Sequence, residues 1–375
     1  MGKIFTALGL MSGTSGDGVD ASIISSDGIT EYSEILNRYF KYDQKLYDHL
    51  HNIKGKILKQ EDLEKNKSEI SKLEKEITLF HAKVVNKVLT QTDKEIDFIG
   101  FHGQTIYHNP YEKISKQIGD GNLLSQLTKK NVINDFRQND IQNGGEGAPL
   151  APIFHRQIVK QKKIELPVCV LNIGGITNVT VLGKFNKEDF SSKDLGPGNC
   201  LIDEWIRKNT KNKFDNKGEL AKKGKTNDLI LNQALDNFEN QKNKNSSSFD
   251  TKDFSLGFVR GLSVEDGAAT LTDFTGRIIE AELLSYLSQS KNKMFKVLIC
   301  GGGRKNLFLI ERIKRGVQKN LIIQPIDDYG IDGDYVESQA FAFIAIRSFL
   351  GLPISFPETT GCKEPCTGGV FIKNY

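Results

Sequence analysis

Residues 4–25, IFTALGLMSGTSGDGVDASIIS, decide the fold. An apolar run from Ile4 to Met11 meets a turn of glycine, serine, threonine and aspartate, and a second apolar run returns through Val19 to Ile24. Two such runs joined by a short glycine-containing segment read as a β-hairpin. The same order, with a shorter turn, recurs at 168–182, VCVLNIGGITNVTVL. One unit found twice, about half the chain apart, predicts two related domains that duplicate shape rather than sequence.

Length and composition agree with that. The chain has 375 residues, and single cores stop growing beyond roughly 250–300 residues. Hydrophobic residues make up 38% and charged residues 26%, a globular balance. The net charge is +4 with the lysines scattered, so no basic face for nucleic acid is expected. No apolar run reaches the roughly 20 residues of a membrane span. Ile4 to Met11 follows Lys3 as a weak signal peptide would, but it enters a polar turn without a small-residue cleavage site, so it reads as a buried strand. The match of Met1, Gly2 and Thr6 to a myristoylation pattern is set aside for the same reason. The cysteines, Cys169, Cys200, Cys300, Cys362 and Cys366, are odd in number and irregular in spacing. That excludes a disulfide framework and suits a reducing, cytoplasmic location. Cys362 and Cys366 flank three residues with no further ligands nearby in sequence, and read as ordinary thiols. Oligomeric state is not legible; a homodimer is kept as an expectation.

Between the hairpins, Leu63, Ile70, Leu73, Ile77, Phe80, Val84 and Val88 make one apolar stripe over 58–90, which predicts helix packed on the domain's own sheet. Ile96 to Phe101 reads as a strand running into His102-Gly103-Gln104-Thr105. Residues 209–228 and 239–253 read as solvated loops or insertions. Residues 262–289 read as a long helix, Val297 to Cys300 as a short strand, and Val336 to Leu350 as a final helix stopped by Gly351 and Pro353. The expected domains are 1–135, completed by 351–375, and 136–350.

The turn Gly13-Thr14-Ser15-Gly16-Asp17-Gly18 lacks bulky side chains. Its N–H groups and hydroxyls can close on an anion, and Asp17 can hold a magnesium ion that bridges phosphates. Alone, such a turn is more often just a tight turn. Gly174-Gly175 with Asn178 repeats the offer. Gly301-Gly302-Gly303-Arg304-Lys305-Asn306, between a strand and a helix, lets backbone approach an adenosine or phosphate. The dinucleotide fingerprint fails there because Asn306 stands where a third glycine is needed. Lys223-Gly224-Lys225-Thr226 nearly spells a P-loop with Gly218, one residue too long and after a polar segment, and reads as a charged loop. Asp194 precedes Leu195-Gly196-Pro197-Gly198-Asn199. A rigid turn there fixes a carboxylate either as a general base or as a turn cap. His102, Gln104, Arg137 and Asp140 sit in segments dense with Gly, Asn and Asp; Arg137 suits a carboxylate or phosphate, or a structural salt bridge.

Taken together, these segments resemble the anhydro-N-acetylmuramic acid kinase family. The matching stretches include GLMSGTSGDGVDASI at 9–23, GFHGQTIYHNP at 100–110, INDFRQNDIQNGGEGAPLAPIFH at 133–155 and LNIGGITNVT at 171–180. They continue with DLGPGNCLIDEW at 194–205, EDGAATLTDFT at 265–275, CGGGRKN at 300–306, ESQAFAFIA at 337–345 and TTGCKEP at 359–365. The resemblance implies an α/β protein with two ribonuclease H-like domains of the actin and hexokinase type flanking a nucleotide cleft. It implies ATP held by Gly13, Thr14, Ser15, Gly16, Asp17, Gly18, Val19 and Asp20, by Gly174, Gly175 and Asn178, and by Gly301, Gly302, Gly303 and Asn306. It implies magnesium near Asp17 and Asp194 as catalytic base. His102, Gln104, Arg137 and Glu337 are expected on the anhydrosugar. The implied reaction opens a 1,6-anhydro bridge and phosphorylates O6, within cell-wall recycling. Gly16, Glu146 and Leu195 depart from the residues usual in the family, the first two where substrate contacts are altered and the third where Asp194 is held. A kinase for another anhydrosugar such as levoglucosan, and a non-catalytic actin-like ATP-binding protein, are the alternatives.

Overall fold

The computed structural model describes residues 2–183, 190–242, 248–290, 294–317 and 321–374. In chain order its main elements begin with β1 (Phe5–Ser12), β2 (Gly18–Ser26), β3 (Tyr32–Lys41), α1 (Lys67–Leu89), β4 (Phe98–Asn109), β5 (Ile114–Ile118), β6 (Asn131–Asn134) and α2 (Pro152–Gln161). There follow β7 (Val168–Ile173), β8 (Ile176–Leu182), β9 (Phe190–Pro197), α3 (Cys200–Asn209), α4 (Val264–Gln289), β10 (Phe295–Cys300), α5 (Leu307–Gly316), β11 (Leu321–Pro325), α6 (Val336–Phe349) and β12 (Val370–Ile372).

Two sheets repeat one plan. In the first, the order is β3-β2-β1-β4-β6, with β2 antiparallel to both neighbours and β1, β4 and β6 parallel. In the second, β9-β8-β7-β10-β11 has the same senses in the same order. Both hairpins read from the sequence are present, with Met11 paired to Asp20 and Ile173 to Thr177. The α/β class and the two-unit organisation are as expected.

The domain boundaries are corrected. One compact unit runs to Lys163 and resumes at Tyr335, and the other spans Ile164–Asp334. The expected break at 135/136 and the expected reach of the second domain to 350 both fail, because α2 and α6 bury their apolar faces in the first unit. Tyr32 of β3 stacks edge-on against Phe154 of α2 at 4.9 Å, and Gln161 bonds both the N–H and the carbonyl of Tyr32. The expected C-terminal completion is seen, since β12 pairs antiparallel with β6.

Strand alternation explains how the first sheet is covered. Leu8, Leu10, Ala21 and Ile23 pack with Ile70, Leu73, Ile77, Val84 and Val88 of the α1 stripe. Gly9 and Gly100 meet α6 instead. A Cβ on Gly9 would stand 1.9 Å from the Ser338 carbonyl oxygen, and one on Gly100 would stand 2.4 Å from that of Phe341. Only glycine lets helix backbone approach a strand that closely. In the second unit, α4 runs through the core formed with β7, β9 and β10.

The loop expected over 209–228 is corrected in part, since a short helix, Glu219–Lys223, lies inside it. The charged loop read at 223–226 is present, with Lys223 and Lys225 exposed, and Gly224 lies so close to the Glu265 carbonyl that a Cβ would approach to 2.0 Å. The Lys225 N–H bonds Asp266, and the Thr226 hydroxyl bonds the buried Asp273. Of the second expected loop, residues 239–242 end a helix, Asp228–Lys242, and 243–247 lie outside the described residues. No helix among the described residues is long and apolar enough to cross a membrane.

Candidate active site

The first unit gathers its candidates at the ends of β1 and β4. The Gly16 N–H closes a turn on the Gly13 carbonyl at 3.1 Å, and Gly16 has φ +59°, which glycine adopts without strain. Thr14 and Ser15 project into solvent from that turn. The Ser15 hydroxyl donates to Asp17 Oδ1 at 2.6 Å and the Tyr39 hydroxyl to Oδ2 at 3.1 Å. Burial and the neighbouring Asp17 carboxylate both raise the pKa of Tyr39, which keeps that proton in place. The Lys54 ammonium donates to the Thr14 carbonyl at 2.8 Å, adding a cation that no sequence motif announces. Val19 is fully buried, so its side chain serves packing, and Asp20 follows it, half-buried, on β2.

Behind the turn lies a relay of buried polar groups. Ser12 Oγ lies 2.9 Å from the Tyr42 hydroxyl and 3.3 Å from His81 Nε2, while His81 Nδ1 bonds the Ile77 carbonyl at 2.8 Å. One arrangement of protons fits all three contacts: Tyr42 donates to Ser12, Ser12 to His81 and His81 to Ile77. Gln104, fully buried, donates to the Gly13 carbonyl at 3.1 Å, and its Oε1 has no protein partner. It therefore braces the turn.

His102 and Arg137 form one unit. Arg137 donates to His102 Nε2 through Nη2 at 2.9 Å and Nε at 3.2 Å, and to the Gly147 carbonyl through Nη1 at 2.7 Å. His102 Nδ1 meets the Gly103 carbonyl at 2.9 Å. Burial, and then the Arg137 charge, push the His102 pKa down to about 3, so the ring is neutral. Glu337 stands half-buried in the first turn of α6.

The second unit presents the β7–β8 turn. The Gly175 carbonyl accepts from Gly198 N–H at 2.9 Å, and the Gly174 carbonyl accepts from Asn199 N–H at 2.8 Å and from its side chain at 3.1 Å. Thr275 of α4 donates to the Gly198 carbonyl at 3.1 Å. Asp194 does not precede the turn as a loop residue. It lies inside β9 directly across from Asn178 of β8, is 8% exposed, and accepts the Phe249 N–H at 3.0 Å. A buried carboxylate held by a backbone donor is ordered and still has acceptor capacity.

Gly301 follows β10 with φ +79°, and a Cβ there would reach within 2.3 Å of Asn172 Oδ1; a Cβ on Gly302 would meet nothing within 4 Å. Gly303 packs against Ile173, and Asn306 is buried and caps α5 through its bond from Leu309 N–H. Sequence reasoning missed Arg304. Its guanidinium bonds the Gly301 carbonyl, Asp327 and Asp332, at 2.8–3.4 Å, and also Asp334. Burial works against its charge, and Asp327 and Asp334 more than offset that. The acid-rich run at 327–334 was the available signal.

The family described as anhydro-N-acetylmuramic acid kinase matches residues 5–374. A relative of that name from Pelagibacter ubique is 56% identical over 375 residues, covering 100% of both chains. Another of that name from Rhodospirillum rubrum is 37% identical, covering 97% of this chain and 93% of its own. Among solved structures, a hexokinase from Schistosoma mansoni complexed with glucose aligns with 91% of this chain and 85% of its own at 10% identity and a TM-score of 0.40. The chain belongs to the anhydro-N-acetylmuramic acid kinase family.

Proposed function

We propose that the protein is an ATP-dependent kinase that hydrolytically opens the 1,6-anhydro ring of 1,6-anhydro-N-acetylmuramic acid and phosphorylates O6, giving N-acetylmuramic acid 6-phosphate in peptidoglycan recycling. Family membership across nearly the whole chain supports the reaction. The observation that carries the mechanism is the buried, backbone-anchored carboxylate of Asp194. Asp194 takes a proton from a water that attacks the anomeric carbon. The C1–O6 bond breaks, and O6 accepts the γ-phosphoryl group of ATP, so the sugar gains one water and one phosphoryl group. General-base help of this kind is worth roughly 10²–10⁴-fold.

The turn at 13–18 and the turn at Gly174-Gly175 bind phosphates through backbone N–H groups, and the open backbone at Gly301-Gly302 receives the adenosine. Asp17 is the residue that would hold Mg²⁺. A single half-buried carboxylate beside a phosphate turn fits an ion that keeps several waters and takes its other ligands from phosphates. When bound, the ion neutralises phosphate charge. Neutral His102 fixes the Arg137 fork, which pairs with the lactyl carboxylate, and Gln104 and Glu337 contact the sugar. The five cysteines are unbridged, which supports a reducing, cytoplasmic location.

Incubation with ATP, magnesium and the sugar, followed by mass spectrometry, should show a product heavier by one phosphate and one water. Asp194→Asn should lower kcat roughly 10²–10⁴-fold while ATP binding by calorimetry is unchanged. Unchanged turnover in Asp194→Asn removes the mechanism, and equal turnover of levoglucosan removes the assigned sugar.

A further inference from the structure

The sequence places Cys362 and Cys366 together and offers no further ligand near them. The fold supplies one from 226 residues away. Asp140, Cys362 and Cys366 bring a carboxylate oxygen and two sulfurs within 4.8 Å of one another. We propose that Asp140, Cys362 and Cys366 bind one thiophilic divalent cation, with zinc as the best match.

The spacing suits that ion. Cys366 Sγ lies 3.9 Å from Asp140 Oδ1. Bonds of about 2.3 Å to sulfur and about 2.1 Å to oxygen, at a tetrahedral angle, put those atoms about 3.6 Å apart. Small side-chain rotations close the difference. The Ser355 hydroxyl, 3.0 Å from Cys366 Sγ, or a water completes four-coordination.

The carboxylate is oriented as metal-bound carboxylates are. Gly147 N–H donates to Oδ2 at 2.7 Å and the Thr360 hydroxyl to Oδ1 at 2.6 Å. Asp140 is 1% exposed, and no lysine, arginine or histidine among the described residues forms an ion pair with it. Backbone bonds seat the cysteine segment without any ion: Glu146 N–H on Thr360 O at 2.8 Å, Lys363 N–H on Asn143 O at 3.1 Å and Ile354 N–H on Cys366 O at 2.9 Å. The site is preformed.

The charge balance is favourable. Binding releases one proton from each thiol to solvent and admits one dication, so the cluster's net charge does not change. The site clamps Gly147, whose carbonyl receives Arg137. Its assignment does not depend on the kinase reading.

The test uses the full chain stripped with a chelator and dialysed under argon. Titration with zinc should show one equivalent bound by plasma mass spectrometry after gel filtration. Cobalt(II) should give the sulfur-to-metal charge-transfer absorption of a thiolate site. The double variant Cys362→Ser/Cys366→Ser should bind zinc at least 100-fold more weakly, Thr360→Val roughly 10-fold more weakly, and Cys169→Ser/Cys200→Ser like wild type. Should the double variant fail to fold, the cobalt spectrum of the wild type decides alone. Absence of that absorption, zinc binding unaltered in the folded double variant, or a Cys362–Cys366 disulfide in freshly purified protein would overturn the assignment.

Discussion

Gly9→Ala tests the packing that builds the first unit. The new Cβ would lie 1.9 Å from the Ser338 carbonyl oxygen, 2.5 Å from the Ala342 nitrogen and 3.0 Å from the Ala342 Cβ. The two nearest obstacles are helix backbone, so no flexible side chain can swing aside. Either β1 or α6 must move by about 1 Å or more to restore contact distances. Overpacking costs about 1–3 kcal/mol, and two backbone obstacles argue for the upper end. At roughly 2–4 °C per kcal/mol for a unit of this size, the melting temperature should fall by roughly 6–12 °C. Scanning calorimetry of the full chain measures this. Gly55→Ala is the control: it lies in the helix Gln44–Lys56, its Cβ would meet nothing within 4 Å, and removing a helical glycine should raise stability by up to about 1 kcal/mol. Because β1 leads into the Gly13 turn and α6 carries Glu337, Gly9→Ala should lower kinase turnover as well. A Gly9→Ala protein melting within about 2 °C of wild type would refute the close-approach reasoning.

Acid should weaken the fold through buried histidines. Burial holds His81 and His155 down to about 4, and burial with Arg137 holds His102 down to about 3. These folded values lie below the unfolded value near 6.5, so the unfolded chain takes up protons first. Stability is full above that pH and falls toward pH 3–4, by up to about 1.4 kcal/mol per pH unit for each ring. Urea midpoints at pH 7 and pH 5 check the sign, and a higher midpoint at pH 5 would contradict it. Arg304→Ala should leave Asp327 and Asp332 without their cation, while Asp334 keeps Lys305, and cost about 1.5 kcal/mol. That figure sits at the low end because the acids are partly exposed. ATP affinity should drop with it; wild-type melting and wild-type affinity together would show that the network does not shape the Gly301 turn.

Both hairpins, the α1 stripe, the long helix α4 and the final helix α6 were legible because each is written in local periodicity. The glycine turns were legible from their own short segments, and the burial of Asp194 inside β9 was not. The domain boundaries were not. α2 and α6 look like any apolar helices, and only the glycines on β1 and β4 reveal, once folded, which sheet α6 covers. The segment 223–226 is the exposed charged loop its polarity suggests, but its anchoring to Asp266 and Asp273 of α4 through the Lys225 N–H and the Thr226 hydroxyl is long-range and was not legible.

By itself the sequence determined the main strands and long helices, the doubled plan and the family, since these depend on near neighbours along the chain and on motif order. Tertiary structure alone decided that Arg137 grips a neutral His102, that Lys54 caps the first turn, that Arg304 gathers three aspartates, and that Asp140 joins Cys362 and Cys366. Those pairings are long-range. A charge or thiol acquires its partner only when chain closure brings distant segments into hydrogen-bonding distance, and no local pattern encodes that distance.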